Sequence, residues 1–289
     1  MIPKAVPSPR EAAHAGGPAP VLLGADVGAS LTKIAVSGSE AALDLHWLPD
    51  PAPEALSAHI ASFAPARVGL TGGGAGPLAL ALDQEAPEFG EFEAWGTGAQ
   101  LLLERSGAET RERFLLVSVG TGTSAMLVEP GGTTRVGGTA LGGGTVAGLA
   151  AALLGTSEFD AIVEQARRGD RWNVDLRVSD VYPAGVDALS SKINAASFAK
   201  LARDPNSRNS SDLAAALIGM VGENVGLICA GLAKAAGVER IVYGGTTLHD
   251  NPAIVQLLHG TAAMRGCEAI FLEDGAYPGA IGALELARS

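Results

Sequence analysis

The feature that most constrains the fold is a repeat. Residues 22–36, LLGADVGASLTKIAV, and residues 115–128, LLVSVGTGTSAMLV, each spell an apolar strand, a turn of glycine and hydroxyl residues, and a second apolar strand. Short β-rich runs bounded by Gly, Ser and Asp read as strands joined by turns. A third strand follows each pair, at 42–48 and at 132–136. Later in each half an apolar strand enters a glycine turn before a helix, as VGLTGGGAG (68–76) and IVYGGTTLHDN (241–251). Two β-β-β-α-β-α units facing one another define a two-lobed α/β chain whose period is a whole domain rather than a solenoid unit.

The sequence divides accordingly. Residues 1–20, rich in Pro, Ala and Gly, read as a flexible extension without the apolar core of a signal peptide. Residues 21–112 form the expected first lobe, with helices at 53–63 and 95–106, a strand at 67–71 and a short helix after GGGAG. Residues 113–289 form the second, interrupted by a helical insert from about 145 to 235 and closed by a helix from Ala276. A chain of 289 residues with 47% hydrophobic content is large enough for a substantial core. The apolar stretch AAALIGMVGENVGLICAGLAKAAG is broken by Glu223, Asn224 and several glycines, so it reads as a core helix and no membrane span is expected.

Charge and cysteine usage narrow the chemistry. A net charge of -11, with no extended run among the 20 Lys and Arg, argues against a nucleic-acid surface, which needs clustered cations. Cys229 and Cys267 are too few for a disulfide framework and lack zinc spacing, which suits a reduced, cytoplasmic setting. The histidines His14, His46, His59, His249 and His259 are scattered without ligand spacing.

The turns suggest anion binding. Gly28 lets backbone N–H groups approach a phosphate, Ser30 and Thr32 add hydroxyls, Lys33 adds positive charge, and Asp26 is suited to hold magnesium through water. The second turn, GTGTS (120–124), offers similar donors without charge, so the pair would clamp a phosphate chain from two sides. There is no GxxxxGK[ST], which excludes a P-loop. The dinucleotide fingerprint also fails, because the first strand turns into a strand rather than a helix. GGGT (142–145) reads as a helix N-terminus able to receive phosphate on unpaired N–H groups. In EFE (91–93), read as extended, Glu91 and Glu93 share a face, and one would accept the proton of an attacking hydroxyl. Arg135 is a candidate anion fork.

The ordered set DVGASLTK, LTGGGAG, EFE, VSVGTGTS, RVGGTALGGGT, RGDRWNVDLRVSDVY, IVYGGTTLHDN and EDGAYPGAIGAL resembles a type II pantothenate kinase of the acetate and sugar kinase/Hsc70/actin superfamily, from about residue 21 onward. The resemblance implies a two-lobed, duplicated ribonuclease H-like, actin-like ATPase fold. It further implies ATP- and Mg2+-dependent phosphorylation of pantothenate to 4'-phosphopantothenate, which opens coenzyme A synthesis, by a homodimer. It assigns Asp26, Val27, Gly28, Ala29, Ser30, Leu31, Thr32 and Lys33 to the first ATP-phosphate loop and Glu91 to the catalytic base. It assigns Thr121, the segment Gly143, Gly144, Thr145, Val146 and Ala147, and the positions Phe159 and Thr246 to the nucleotide, and Arg135 to pantothenate. RGDRWNVD falls to the insert rather than the chemistry. Ala29 and Ser30 replace the family's more usual Gly-Thr pair, and Glu93 stands where Asp is common. Two alternatives remain open: a same-fold kinase acting on another small alcohol such as an amino sugar, and a nucleotide-driven activator protein.

Overall fold

The structure, a computed structural model, describes residues 20–37, 42–49, 52–108, 113–182, 193–203 and 209–288. The expected extension, apart from residue 20, lies outside the described residues, as do His14 and the junction at 109–112. The first half runs β1 (Leu22–Val27), β2 (Leu31–Ser37), β3 (Leu43–Pro49), α1 (Pro53–Ala61), β4 (Arg67–Thr71), α2 (Ala75–Ala81) and α3 (Glu91–Arg105). The second runs β5 (Phe114–Val119), β6 (Thr123–Glu129), β7 (Gly132–Thr139), α4 (Gly143–Leu154), α5 (Phe159–Arg168), β8 (Leu176–Arg177), α6 (Val178–Val181) and β9 (Asn194–Ala196). It continues through α7 (Ser210–Ala235), β10 (Arg240–Gly244), α8 (Pro252–Met264), β11 (Glu268–Phe271) and α9 (Pro278–Leu286).

The duplication is plain in the sheets. Their orders are β3-β2-β1-β4 and β11-β10-β5-β6-β7, with the two hairpin pairs antiparallel in each and the late strand parallel to the first. The extra outer strand of the second sheet has a vestige in the first, a single parallel bridge from Leu70 to Glu88. Alternating apolar positions bury Leu23, Ala25, Ile34 and Leu70 in one core and Leu115, Val117, Ala125 and Ile241 in the other.

Three expectations change. Helix α3 starts at Glu91, not 95, so EFE is its first turn; acidic residues there suit the positive end of a helix. The insert is not wholly helical, because β8 and β9 form a two-stranded sheet within it. The closing helix belongs with the first sheet rather than with the sequence preceding it, since α9 packs on α3, β1 and β4. Glycines permit that close approach: a Cβ on Gly24 or Gly69 would strike the α9 backbone, and one on Gly282 would strike the carbonyl of Ala94 in α3. Helix α7 has the length and hydropathy of a membrane span, but 67% of its apolar window is buried within the protein, the pattern of a core helix.

Candidate active site between the lobes

The two hairpin turns meet at their tips. Gly28 N–H donates to the Leu31 carbonyl at 3.2 Å and Gly120 N–H to the Gly122 carbonyl at 2.9 Å, closing the turns. The Ser30 and Thr121 hydroxyls are 3.0 Å apart, joining one to the other. Strand register gives the equivalences. Asp26 pairs with Lys33 across the first hairpin, and Ser118 with Ser124 across the second, each one step before the last pair at the turn. The charged pair of one lobe is thus a serine pair in the other.

Around this junction lies a cavity of about 700 Å³ lined by Gly28, Ser30, Lys33, Glu91, Thr121 and Arg135, with Asp26 at its floor. Asp26 is 4% exposed. Burial, opposed by Lys33 and reinforced by Glu91, raises its pKa to about 6, while the Trp95 indole donates a hydrogen bond to the carboxylate. Glycines make room for it. A Cβ on Gly72 would lie 2.8 Å from Asp26 Oδ1, and one on Gly279 2.5 Å from Oδ2. The Asp26 carboxylate beside hydroxyls, in a cavity with room for a phosphate chain, fits a magnesium ion, which usually takes one or two carboxylates plus substrate phosphate oxygens.

Helical geometry separates the two acids of EFE. Residues two apart on a helix do not share a face, so Glu91 lines the cavity while Glu93 does not. The extended reading, in which both faced one way, is corrected by the helix start at Glu91. Arg135 reaches the cavity through a β-bulge: β7 pairs Gly137 with Ala125 but Arg135 with Met126, skipping Val136. Directly paired residues share a face, and Met126 points toward α3, packing with Trp95 and Ala99. Without the bulge Arg135 would pair with Leu127, whose side chain faces the opposite core. The irregularity therefore turns the Arg135 side chain toward the cavity that Glu91 also lines.

A second cavity of about 300 Å³ adjoins the first through Ser30, Leu31, Gly120, Thr121 and Thr246. Gly143, Gly144, Ala147 and Phe159 line it. The expected free N–H groups at the start of α4 are engaged: Gly143 N–H donates to the Gly120 carbonyl at 2.8 Å and Gly144 N–H to that of Thr121 at 3.0 Å. These bonds dock α4 on the second turn, so the glycines shape the cavity wall instead of presenting an open anion nest. Val27, Thr32, Thr145 and Val146 line neither cavity. Thr32 and Val146 are buried, Val27 packs against Gly74, and the Thr145 hydroxyl donates to the Ala140 carbonyl. Sequence reasoning missed Gly72, Trp95, Ser118, Trp47, Asp160 and His249 as cavity residues. Ser118 and Gly72 sat inside quoted motifs, so aligning the two hairpins by register would have exposed Ser118. Trp47 and Trp95 carried no local signal.

Two glycine-turn hairpins facing one another across a cleft, each at the head of a duplicated sheet, define an actin-like ATPase fold. Solved structures share it. Component A of the (R)-2-hydroxyglutaryl-CoA dehydratase of Acidaminococcus fermentans aligns over 93% of this chain and 98% of its own, with TM-score 0.62 and 17% identity. A ROK family glucokinase from Streptomyces griseus, solved with glucose and AMPPNP, aligns over 93% and 99% with TM-score 0.58 and 13% identity. The family model described as Fumble matches residues 66–285. Type II pantothenate kinases of Staphylococcus aureus strains MRSA252 and NCTC 8325 are 34% identical over 221 and 219 residues, covering 76% and 75% of this chain and 82% and 81% of theirs. The chain belongs to the Fumble family, that of the type II pantothenate kinases.

Proposed function

We propose that this protein transfers the γ-phosphoryl group of ATP to the primary hydroxyl of pantothenate, giving 4'-phosphopantothenate and ADP. The observation that carries the reading is the convergence of Glu91 and Arg135 on the cavity where the two phosphate turns meet, in a chain of this family. The Glu91 carboxylate accepts the hydroxyl proton as that oxygen bonds to the γ-phosphorus and the bond to the β-phosphate bridging oxygen breaks. Arg135 holds the anionic alcohol or the transferring group with its planar fork. Lys33 offsets phosphate charge, and the Gly28 and Thr121 turns hold the chain between them. Asp26 would hold magnesium, which supplies charge neutralisation on the phosphate oxygens when bound.

We further propose a homodimer. Leu149 and Leu153 on α4 and Leu227 and Ile228 on α7, two helices that pack together, remain exposed and offer a second copy an apolar face. The activator reading has less support: the likeness to dehydratase component A is one of fold, and Cys229 and Cys267 are both buried. Burial pushes the Cys229 thiol up to about 12, the opposite of a thiolate ligand. Purified protein given ATP, magnesium and pantothenate is expected to form ADP and 4'-phosphopantothenate. A preparation that binds ATP but phosphorylates only an amino sugar in a parallel panel would refute the substrate assignment.

A further inference from the structure

Trp47 is a large side chain at the cleft that the phosphate chemistry does not use. Pairing across the first sheet places Trp47, Lys33, Asp26 and Thr71 in one row, so the indole stands on the same face as the charged pair, one strand further out. The indole is 41% exposed on the edge strand β3. Its ring meets His249 of the second lobe edge-on, with centroids 4.9 Å apart and planes at 84°. It lines the 300 Å³ cavity on one side and, on the other, a separate cavity of about 560 Å³ between the lobes. Trp47 and His249 therefore form the wall between the two.

The phosphate cavity opens into the 300 Å³ cavity through the tips of both turns. A nucleotide whose phosphates occupy the first directs its base into the second, where Phe159 comes from the second lobe and Trp47 from the first. Flat apolar walls are what a base ring stacks on. We propose that Trp47 is a nucleotide-binding residue, its indole contacting the purine and His249 fixing the indole's edge, so that the base itself ties β3 to the second lobe. The inference rests on the kinase reading and adds to it a base contact from the first lobe.

Calorimetry with two probes in magnesium buffer tests it: ADPNP, which carries a base, and inorganic tripolyphosphate, which does not. Trp47→Ala is expected to weaken ADPNP by roughly ten- to a hundred-fold, the scale of one lost base–aromatic stack, with tripolyphosphate affinity unchanged. Trp47→Phe should keep ADPNP affinity within a few-fold and reduce the tryptophan fluorescence change expected when ADPNP binds the wild type. In steady state, KM for ATP rises in Trp47→Ala while KM for the alcohol holds. Equal ADPNP affinity in wild type and Trp47→Ala overturns the inference, as does parallel loss of both probes, which would mark a structural role. A wild type that binds neither probe removes the kinase reading, and this inference with it.

Discussion

Asp26→Asn is expected to make the protein more stable and inactive. The carboxylate titrates near 6 in the folded protein against 3.8 as the ordinary value, chiefly because burial removes its hydration. The folded state thus binds this proton more tightly than the unfolded chain. Stability is lost as pH rises from the unfolded value through the folded one, and the cost is complete above about 6. The shift of about two units corresponds to about 3 kcal/mol at pH 8 and, by the same linkage, roughly half of that at pH 5. Asparagine resembles the protonated acid in charge and shape, keeps an acceptor for the Trp95 indole, and escapes the penalty. For 289 residues, an unfolding entropy of about 0.6 kcal/mol/K converts the gain at pH 8 to a Tm rise of about 5 °C. Differential scanning calorimetry of the nucleotide-free protein at pH 8 and pH 5 is the assay. A variant that melts at or below wild type at pH 8, or whose gain is equal at both pH values, refutes the argument that Asp26 is a destabilised charge retained for chemistry.

Three further outcomes follow from the geometry. Glu91→Gln should lower kcat by about 10² to 10⁴ with ADPNP binding retained, while Glu93→Gln, on the other side of the helix turn, stays near wild type in the same coupled ADP assay. Deleting Thr134 should let β6–β7 pair regularly, with Val136 opposite Met126 and Arg135 opposite Leu127, and so turn Arg135 toward the opposite core, raising KM for pantothenate and lowering kcat; Val136→Ala, which keeps the bulge, should not. Arg171 bridges Asp175 at 2.7 Å and Glu223 at 2.9 Å with 12% of its side chain exposed. Arg171→Met strands two partly or fully buried carboxylates and should cost about 3–5 kcal/mol of stability, read as a shift in the urea midpoint.

Local pattern carried the parts of this molecule that are local. Both hairpins were legible because strand alternation and glycine turns are written within about fifteen residues, and Glu91 and Arg135 were legible through the motifs around them. What failed was the geometry between elements. The face of Arg135 depends on the bulge at Val136, which no residue in RVGGT announces. The N–H groups of Gly143 and Gly144 looked free because their acceptors, Gly120 and Thr121, lie more than twenty residues earlier. Helix α9 was placed with the sequence before it, whereas its small residues match glycines on β1, β4 and α3. Trp47 read as one more strand residue, since only register puts it in line with Lys33 and Asp26. RGDRWNVD, by contrast, was placed in the insert, where Arg171 ties it to α7 through Glu223.

The asymmetry of the repeat has a physical basis. The first row across the cleft end of the sheets is Trp47, Lys33, Asp26 and Thr71; the matching row in the second is Gly138, Ser124, Ser118 and Gly244. Burying Asp26 already costs on the order of 3 kcal/mol, and Glu91 raises that cost. A second aspartate at Ser118, across the same cavity, would add a like charge to a site already shifted upward, and one of the two acids would become protonated at neutral pH. Serines there keep hydroxyl donors facing the cavity without that repulsion. Glycines at the outer positions leave space: a Cβ on Gly138 would collide with the Thr123 carbonyl and come within 3.2 Å of the Arg135 guanidinium. One lobe can therefore bring charge and an aromatic wall to the cleft because its counterpart is small and neutral where the two face each other.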